Sequence, residues 1–307
     1  MPKVRYDKRG QVAYVTLNRP EVKNAIDIET HELLCEIWAD FRDDSDLRVA
    51  VLTGTGDAFT AGADLKTHAP EWQQVGPMVG RERLEDGLCG ITRGPLSRIR
   101  KPIIAAVNGW CLGHGVEIAM ACDLRIASER ARFGTFEVRR GMHSADGGIV
   151  RLVNTCGVGL ALELLLTGEP ISAQRAYTAN MVNRVVPHDE LEAQTDLLVA
   201  TILRCDQAAI ESAKETVLEI IGRPLHDQLE AATDQVVRQI LRCDPAAVAS
   251  SKQTVLEVIG RPLREQLRLE AVWGYALCAG NQSVMARSQA FFDKQDRGRA
   301  GATASPL

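Results

Sequence analysis

Aromatic residues make up only 5% of the 307-residue chain, and it has six histidines. It also lacks a surplus of positive charge. The formal balance is -4, without the basic face that a nucleic-acid partner requires, so no nucleic-acid partner is expected. No apolar run approaches the roughly 20 residues that cross a bilayer, so no membrane partner is expected either. Met1 to Tyr6 carry no apolar h-region, which argues against a secretory signal. The eight cysteines form no CxxC pair and have no histidines at metal spacing. That usage fits reduced thiols in a cytoplasm and gives no metal ligand set. A dinucleotide loop is not supported, because Gly113-His114-Gly115 lacks the third glycine and the downstream ribose acid.

What is present is organised around Ile103 to Gly141. A short apolar run, Ile103 to Val107, turns at Asn108-Gly109. Gly113-His114-Gly115 then opens a helical segment that carries Glu117. A strand at Leu124 to Ala127 follows, and Arg132-Phe133-Gly134 leads to Glu137. A glycine turn with free N–H groups beside two carboxylates suits chemistry in which charge develops on an oxygen while a proton moves nearby.

The flanking segments read as α/β. Val12 to Leu17 is a strand, Ile28 to Phe41 has apolar residues at helical spacing, and Val49 to Thr53 looks like a buried parallel strand. Small residues in Phe59 to Lys66 would let a ligand lie against backbone N–H groups. Residues 67 to 100 have no clean period and read as one or two short helices in a wall over a pocket. Helices are expected from Gly147-Gly148 and over Leu160 to Leu166, and a short one is capped by Ser172, with Asn180 placed to end it. Val182 to Val186 is the last strand. The expected division is a catalytic core over 1–190, a helical region over 191–292 and a frayed tail over 293–307.

The helical region repeats itself at an offset of 38. Ile202-Leu203-Arg204-Cys205-Asp206 recurs as Ile240-Leu241-Arg242-Cys243-Asp244, and Lys214 recurs as Lys252. Ile221-Gly222-Arg223-Pro224-Leu225 recurs as Ile259-Gly260-Arg261-Pro262-Leu263. The units span about 191–228 and 229–266. A solenoid needs about three repeats to bury a continuous core, so two copies read as a segmental duplication in a fold that needs one.

Phe59 to Lys66, Lys101 to Asp123, and Phe133-Gly134 through Gly147-Gly148 to Leu152 together resemble the crotonase (enoyl-CoA hydratase/isomerase) superfamily. The resemblance implies a spiral of ββα turns, a helical C-terminal region at subunit contacts, a trimer or hexamer, and an acyl-CoA thioester substrate with no separate cofactor. By motif position it implies that the N–H groups of Ala63 and His114 form an oxyanion hole. Ala61, Asp64, Leu65 and Lys66 would run along the CoA moiety, and Glu117 and Glu137 would be the catalytic glutamates. Glu117 is assigned to water activation and Glu137 to protonation of Cα, with only the backbone of His114 in use. The chain departs from the pattern at His114, at Phe136, and at Met142 to Asp146, where Asp146 is added near the rim. A hydratase is therefore the leading expectation. The alternatives are an isomerase or hydrolase that uses Asp146, and an idle helical scaffold.

Overall fold

The computed structural model describes residues 1–70 and 86–220. They fall in the first of two compact units, Met1–Pro224; the second, Leu225–Leu307, lies outside them. So do the second repeat copy, the tail and residues 71–85 of the expected wall.

Two sheets are built by one alternating path. β1 (Val4–Arg9) and β2 (Val12–Leu17) form an antiparallel pair, and β2 runs parallel to β3 (Val49–Gly54). The chain then crosses to β4 (Ala58–Thr60) in a second sheet, returns as β5 (Ile103–Val107), and crosses again to β6 (Trp110–Leu112). A third turn gives β7 (Leu124–Ser128) and β8 (Arg132–Gly134). β9 (Ile171–Ser172) closes the small sheet, and β10 (Arg184–Val186) closes the large one. The large sheet has the order β1-β2-β3-β5-β7-β10 and the small one β4-β6-β8-β9. This is the expected α/β architecture with a ββα progression.

The central strands are apolar on both faces, as parallel strands covered on two sides must be. In β3 and β5, Ala50, Leu52, Ile103, Ala105 and Val107 face the main core, while Val49, Val51, Ile104 and Ala106 face the other side. α1 (Ile28–Asp43) covers the first side with Leu34, Ile37, Trp38 and Phe41. Truncating a fully buried aromatic such as Trp38 to alanine typically costs about 3–5 kcal/mol. α2 (His114–Ala121) is buried along nearly its whole length. α3 (Gly148–Thr167) is broken at Gly157 (φ 77°), which yields the two helical pieces that the pattern predicts. α4 (Ala173–Thr178) is capped by Ser172, and Asn180 takes the left-handed conformation (φ 62°).

α5 (Leu191–Leu203) lays Leu191, Leu198 and Val199 on the second face of the large sheet. α6 (Gln207–Ile220) is tied down by Lys214, whose Nζ donates to Asp123 Oδ2 at 2.7 Å and to the Lys101 carbonyl at 2.9 Å.

Three readings of the sequence need correction. β1 was not anticipated: only Val4 of its six residues is buried, and its charged residues conceal the strand. The last strand begins at Arg184 rather than Val182, because Val182 turns into the core. By length and composition α3 is long and apolar enough to cross a membrane, contrary to the reading of the apolar runs. An 18-residue window of this 20-residue helix has a mean hydropathy of 1.7, with 17% of it buried.

Candidate active site

The loop after β4 and the start of α2 are pressed together backbone to backbone. Gly62 has φ 89°, and a Cβ there would stand 2.7 Å from the Leu112 carbonyl oxygen and 2.9 Å from His114 N. Glycine at 62 is thus required both by its dihedral and by its neighbour. The loop is held from behind, since Ile26 N donates to Gly62 O and Asp64 N to Ile26 O, both at 2.8 Å. Ala63 and His114 are thereby brought alongside one another. None of the hydrogen bonds among the described residues is donated by either N–H. His114 is also the first residue of α2, where free N–H groups and the helix dipole favour negative charge.

Of the residues expected along CoA, Lys66 is exposed and Ala61 and Leu65 are half-buried. Asp64 is occupied structurally: its carboxylate pairs with Arg19 at 3.3 Å and accepts from Lys66 N at 3.2 Å.

Glu117 lies one turn into α2 and is only 3% exposed. Its Oε1 accepts from Asp146 N at 2.9 Å and Gly148 N at 3.1 Å. Its Oε2 accepts from His114 Nδ1 at 3.1 Å. Gly148 is needed for this contact, since a Cβ there would meet Glu117 Cγ and Oε1 and Ser144 Cβ, each at 2.9 Å.

Glu137 sits in the short helical turn Phe136–Arg140 after β8. Oε1 accepts from Ser144 Oγ at 3.0 Å, and Oε2 is buried without a hydrogen-bond partner. Burial pushes its carboxyl above the ordinary value and the charge of Glu117 adds to this, against the smaller opposing pull of Ser144 and His114. The two glutamates are therefore near enough for their charges to interact while sitting in different surroundings, which is what separate base and acid roles demand.

Asp146 enters from the loop before α3. Its Oδ2 accepts from Leu88 N at 3.2 Å and lies 3.4 Å from His114 Nδ1. Burial drives its carboxyl upward, but the bond to His114, the charge of that ring, Leu88 N–H and Arg151 outweigh it and hold the group below its usual value. Arg151 fixes the loop by donating to the Asp146 carbonyl at 2.6 Å and to the Ile91 carbonyl at 2.8 Å. His114, Glu117 and Asp146 place N and O donors within 4.8 Å of one another. Hydrogen bonding accounts for the His114 to Glu117 spacing and for the approach of Asp146 to the same nitrogen.

Residue patterns did not single out Ser144, Arg151 or Cys89 for a role. Cys89 comes to His114 across 25 positions and Arg151 reaches the Ile91 carbonyl across 60, separations that leave no local period. The ring of His114 was expected to be idle; it is 5% exposed and set between two carboxylates.

The family model for enoyl-CoA hydratase/isomerase matches residues 7–247. The chain belongs to the enoyl-CoA hydratase/isomerase family. It is 42% identical over 208 residues to (E)-benzylidenesuccinyl-CoA hydratase of Thauera aromatica, covering 67% of this chain and 77% of that one. It is 37% identical over 214 residues to short-chain-enoyl-CoA hydratase of Clostridium acetobutylicum, covering 69% and 79%. Among solved structures of the family, the enoyl-CoA hydratase from Bacillus anthracis superposes with a TM-score of 0.71 at 30% identity, covering 83% of this chain and 96% of that one.

Proposed function

We propose that this chain is an enoyl-CoA hydratase, adding water across the 2,3 double bond of an acyl-CoA thioester. The observation that carries the reading is that Glu117 and Glu137 come together at the Gly113 to Gly115 turn, one fully hydrogen-bonded and the other with a free oxygen and a raised carboxyl. Glu117 takes a proton from water as the water oxygen bonds to Cβ. The π electrons move toward the thioester, whose oxygen takes up charge between the N–H groups of Ala63 and His114. Glu137 delivers a proton to Cα, and the proton taken by Glu117 restores the balance. Losing one donor to such an oxyanion typically costs about 2.7–4 kcal/mol.

Support for the CoA contact is the half-open loop 61–66; support for a cytoplasmic setting is the six free cysteines of the described residues. A trimer or hexamer completes the proposal. Against isomerase or hydrolase chemistry at Asp146 stands its engagement with Leu88 N–H and His114, which leaves it poorly placed as a free acid.

The test is turnover of 2-enoyl-CoA thioesters of graded chain length, with products weighed by mass spectrometry. A gain of one water is expected. Unchanged mass would mean an isomerase, and free CoA a hydrolase.

A further inference from the structure

Three carboxyl groups, Glu117, Glu137 and Asp146, converge on the space beside Gly113 to Gly115, and His114 is the ring set among them. Its Nδ1 lies 3.1 Å from Glu117 Oε2 and 3.4 Å from Asp146 Oδ2. Ionised carboxylates only accept, so this nitrogen carries the proton and donates. Nε2 is buried without a hydrogen-bond partner, with the Cys89 thiol beside the ring.

Each oxygen of Glu117 has a different task. Oε1 is pinned by two backbone N–H groups, so the carboxylate cannot swing away. Oε2 is held by His114. Without that donor, three acidic groups would crowd one space with no cation between them, and Glu117 Oε2 would have no partner to fix its direction.

We propose that the His114 side chain is a positioning residue for hydration: its Nδ1–H, set between Glu117 and Asp146, holds the Glu117 carboxylate in the orientation that faces water and leaves Glu137 as the group that carries the transferable proton. This rests on the hydratase reading for its kinetic consequence, though not for its structural one.

The surroundings agree. Facing the ring are Glu117 on its own helix, Asp146 from the loop before α3, Glu137, Cys89 from the 88–90 turn, and His31 of α1, with Arg151 behind Asp146. Burial pulls the imidazole down, but the carboxylates of Asp146 and Glu117 at Nδ1 outweigh it and raise it well above its ordinary value. Asp146 is itself immobilised through Arg151 and Leu88, so the clamp has a fixed anchor.

The test has two arms. In the resting protein, ¹⁵N-histidine NMR from about pH 6 to 8, the range in which an ordinary histidine titrates, should show His114 with Nδ1 protonated throughout. In Asp146→Asn the ring should lose its charge at lower pH. An unprotonated Nδ1 at neutral pH overturns the proposal without any appeal to turnover. In the second arm, His114→Gly, which keeps the backbone N–H, should lower kcat for but-2-enoyl-CoA by about 10²-fold, the scale of a misplaced catalytic group. KM should stay within about threefold. His114→Asn, whose amide reaches the place of Nδ1, should recover activity that His114→Gln does not. Wild-type kcat in the glycine variant, or equal recovery by His114→Asn and His114→Gln, would overturn the proposal. A wild-type enzyme with no hydration of any enoyl-CoA would instead remove the hydratase reading, while the NMR arm still decides the clamp.

Discussion

Ser144 donates its hydroxyl to Glu137 Oε1 over 3.0 Å, and it also packs against the space that Gly148 leaves open for Glu117. One small side chain therefore touches both halves of the candidate acid–base pair. Its bond favours the ionised form of Glu137, opposing the larger effect of burial. In Ser144→Ala the Glu137 carboxyl should climb further. A proton donor is lost as pH rises through its own pKa, so the alkaline limb of kcat should move to higher pH. Turnover at neutral pH should change by less than about tenfold, or roughly 1.4 kcal/mol in the barrier. A pH–rate profile on variant and parent checks this; a limb that moves to lower pH contradicts it.

Glu117→Gln and Glu137→Gln should each lower kcat by about 10²–10⁴-fold, the usual contribution of a general acid or base. The double variant should lose much less than the product of the two, since both groups act on one transition state. Circular dichroism should show the fold intact in Glu137→Gln, where Oε2 has no partner to lose. Glu117→Gln should be the less stable of the two, because an amide nitrogen placed toward His114 Nδ1 would set donor against donor. Full activity in either single variant rejects the assignment.

Stability at low pH should depend on Asp27. Its Oδ1 caps α1 by accepting from Thr30 N at 2.9 Å, and Oδ2 pairs with Lys3 at 2.6 Å and with Arg19 at 3.3 Å. Burial raises the carboxyl, but Lys3, Thr30 and Arg19 together bring it to about 2 from an ordinary 3.8. A carboxyl lowered on folding contributes stability above its unfolded value and loses it as pH falls through the folded one. Denaturant melts should therefore show Asp27→Asn less stable than the parent near neutral pH, with the gap closing between 3.8 and about 2. Asp27→Ala should cost about 1 kcal/mol more, because it removes the cap as well. A gap that persists unchanged down to pH 2 would show that the charge is not the cause.

How much of this was legible beforehand follows from distance along the chain. The strands with long apolar runs, Val49–Gly54 and Ile103–Val107, announced themselves because both faces are covered. The three-residue strands of the small sheet are too short to show a period, and Val4–Arg9 hides beneath exposed charge. Glu117 and Glu137 stood out by their motif context. The clamp around His114 did not, because Asp146 lies 32 positions downstream and Leu88 and Cys89 lie 26 and 25 upstream. Sequence spacing does not report which partners such a fold brings to one ring.

The repeat gives the last prediction. Deleting residues 204–241 joins Leu203 to Arg242 and restores a single copy with the same helix phase. The structure shows what the surviving copy must reproduce. Lys214 ties α6 to Asp123 and the Lys101 carbonyl, and Lys252 would take its place. Arg48 donates to Gln207 Oε1 at 2.9 Å and to the carbonyls of Leu203 and Cys205. The two carbonyl bonds can be remade by Leu203 and Cys243, whereas Gln207 is replaced by Pro245. One part-buried bond should therefore be lost, at about 0.5–1.5 kcal/mol, while proline at a first helical position partly offsets it. The deletion protein should be soluble and active, and should still assemble. Size-exclusion chromatography with light scattering, together with turnover, decides this. Insoluble protein would mean that the second copy is integral to the core, since removing packed apolar surface costs several kcal/mol, about the whole margin of a marginal domain.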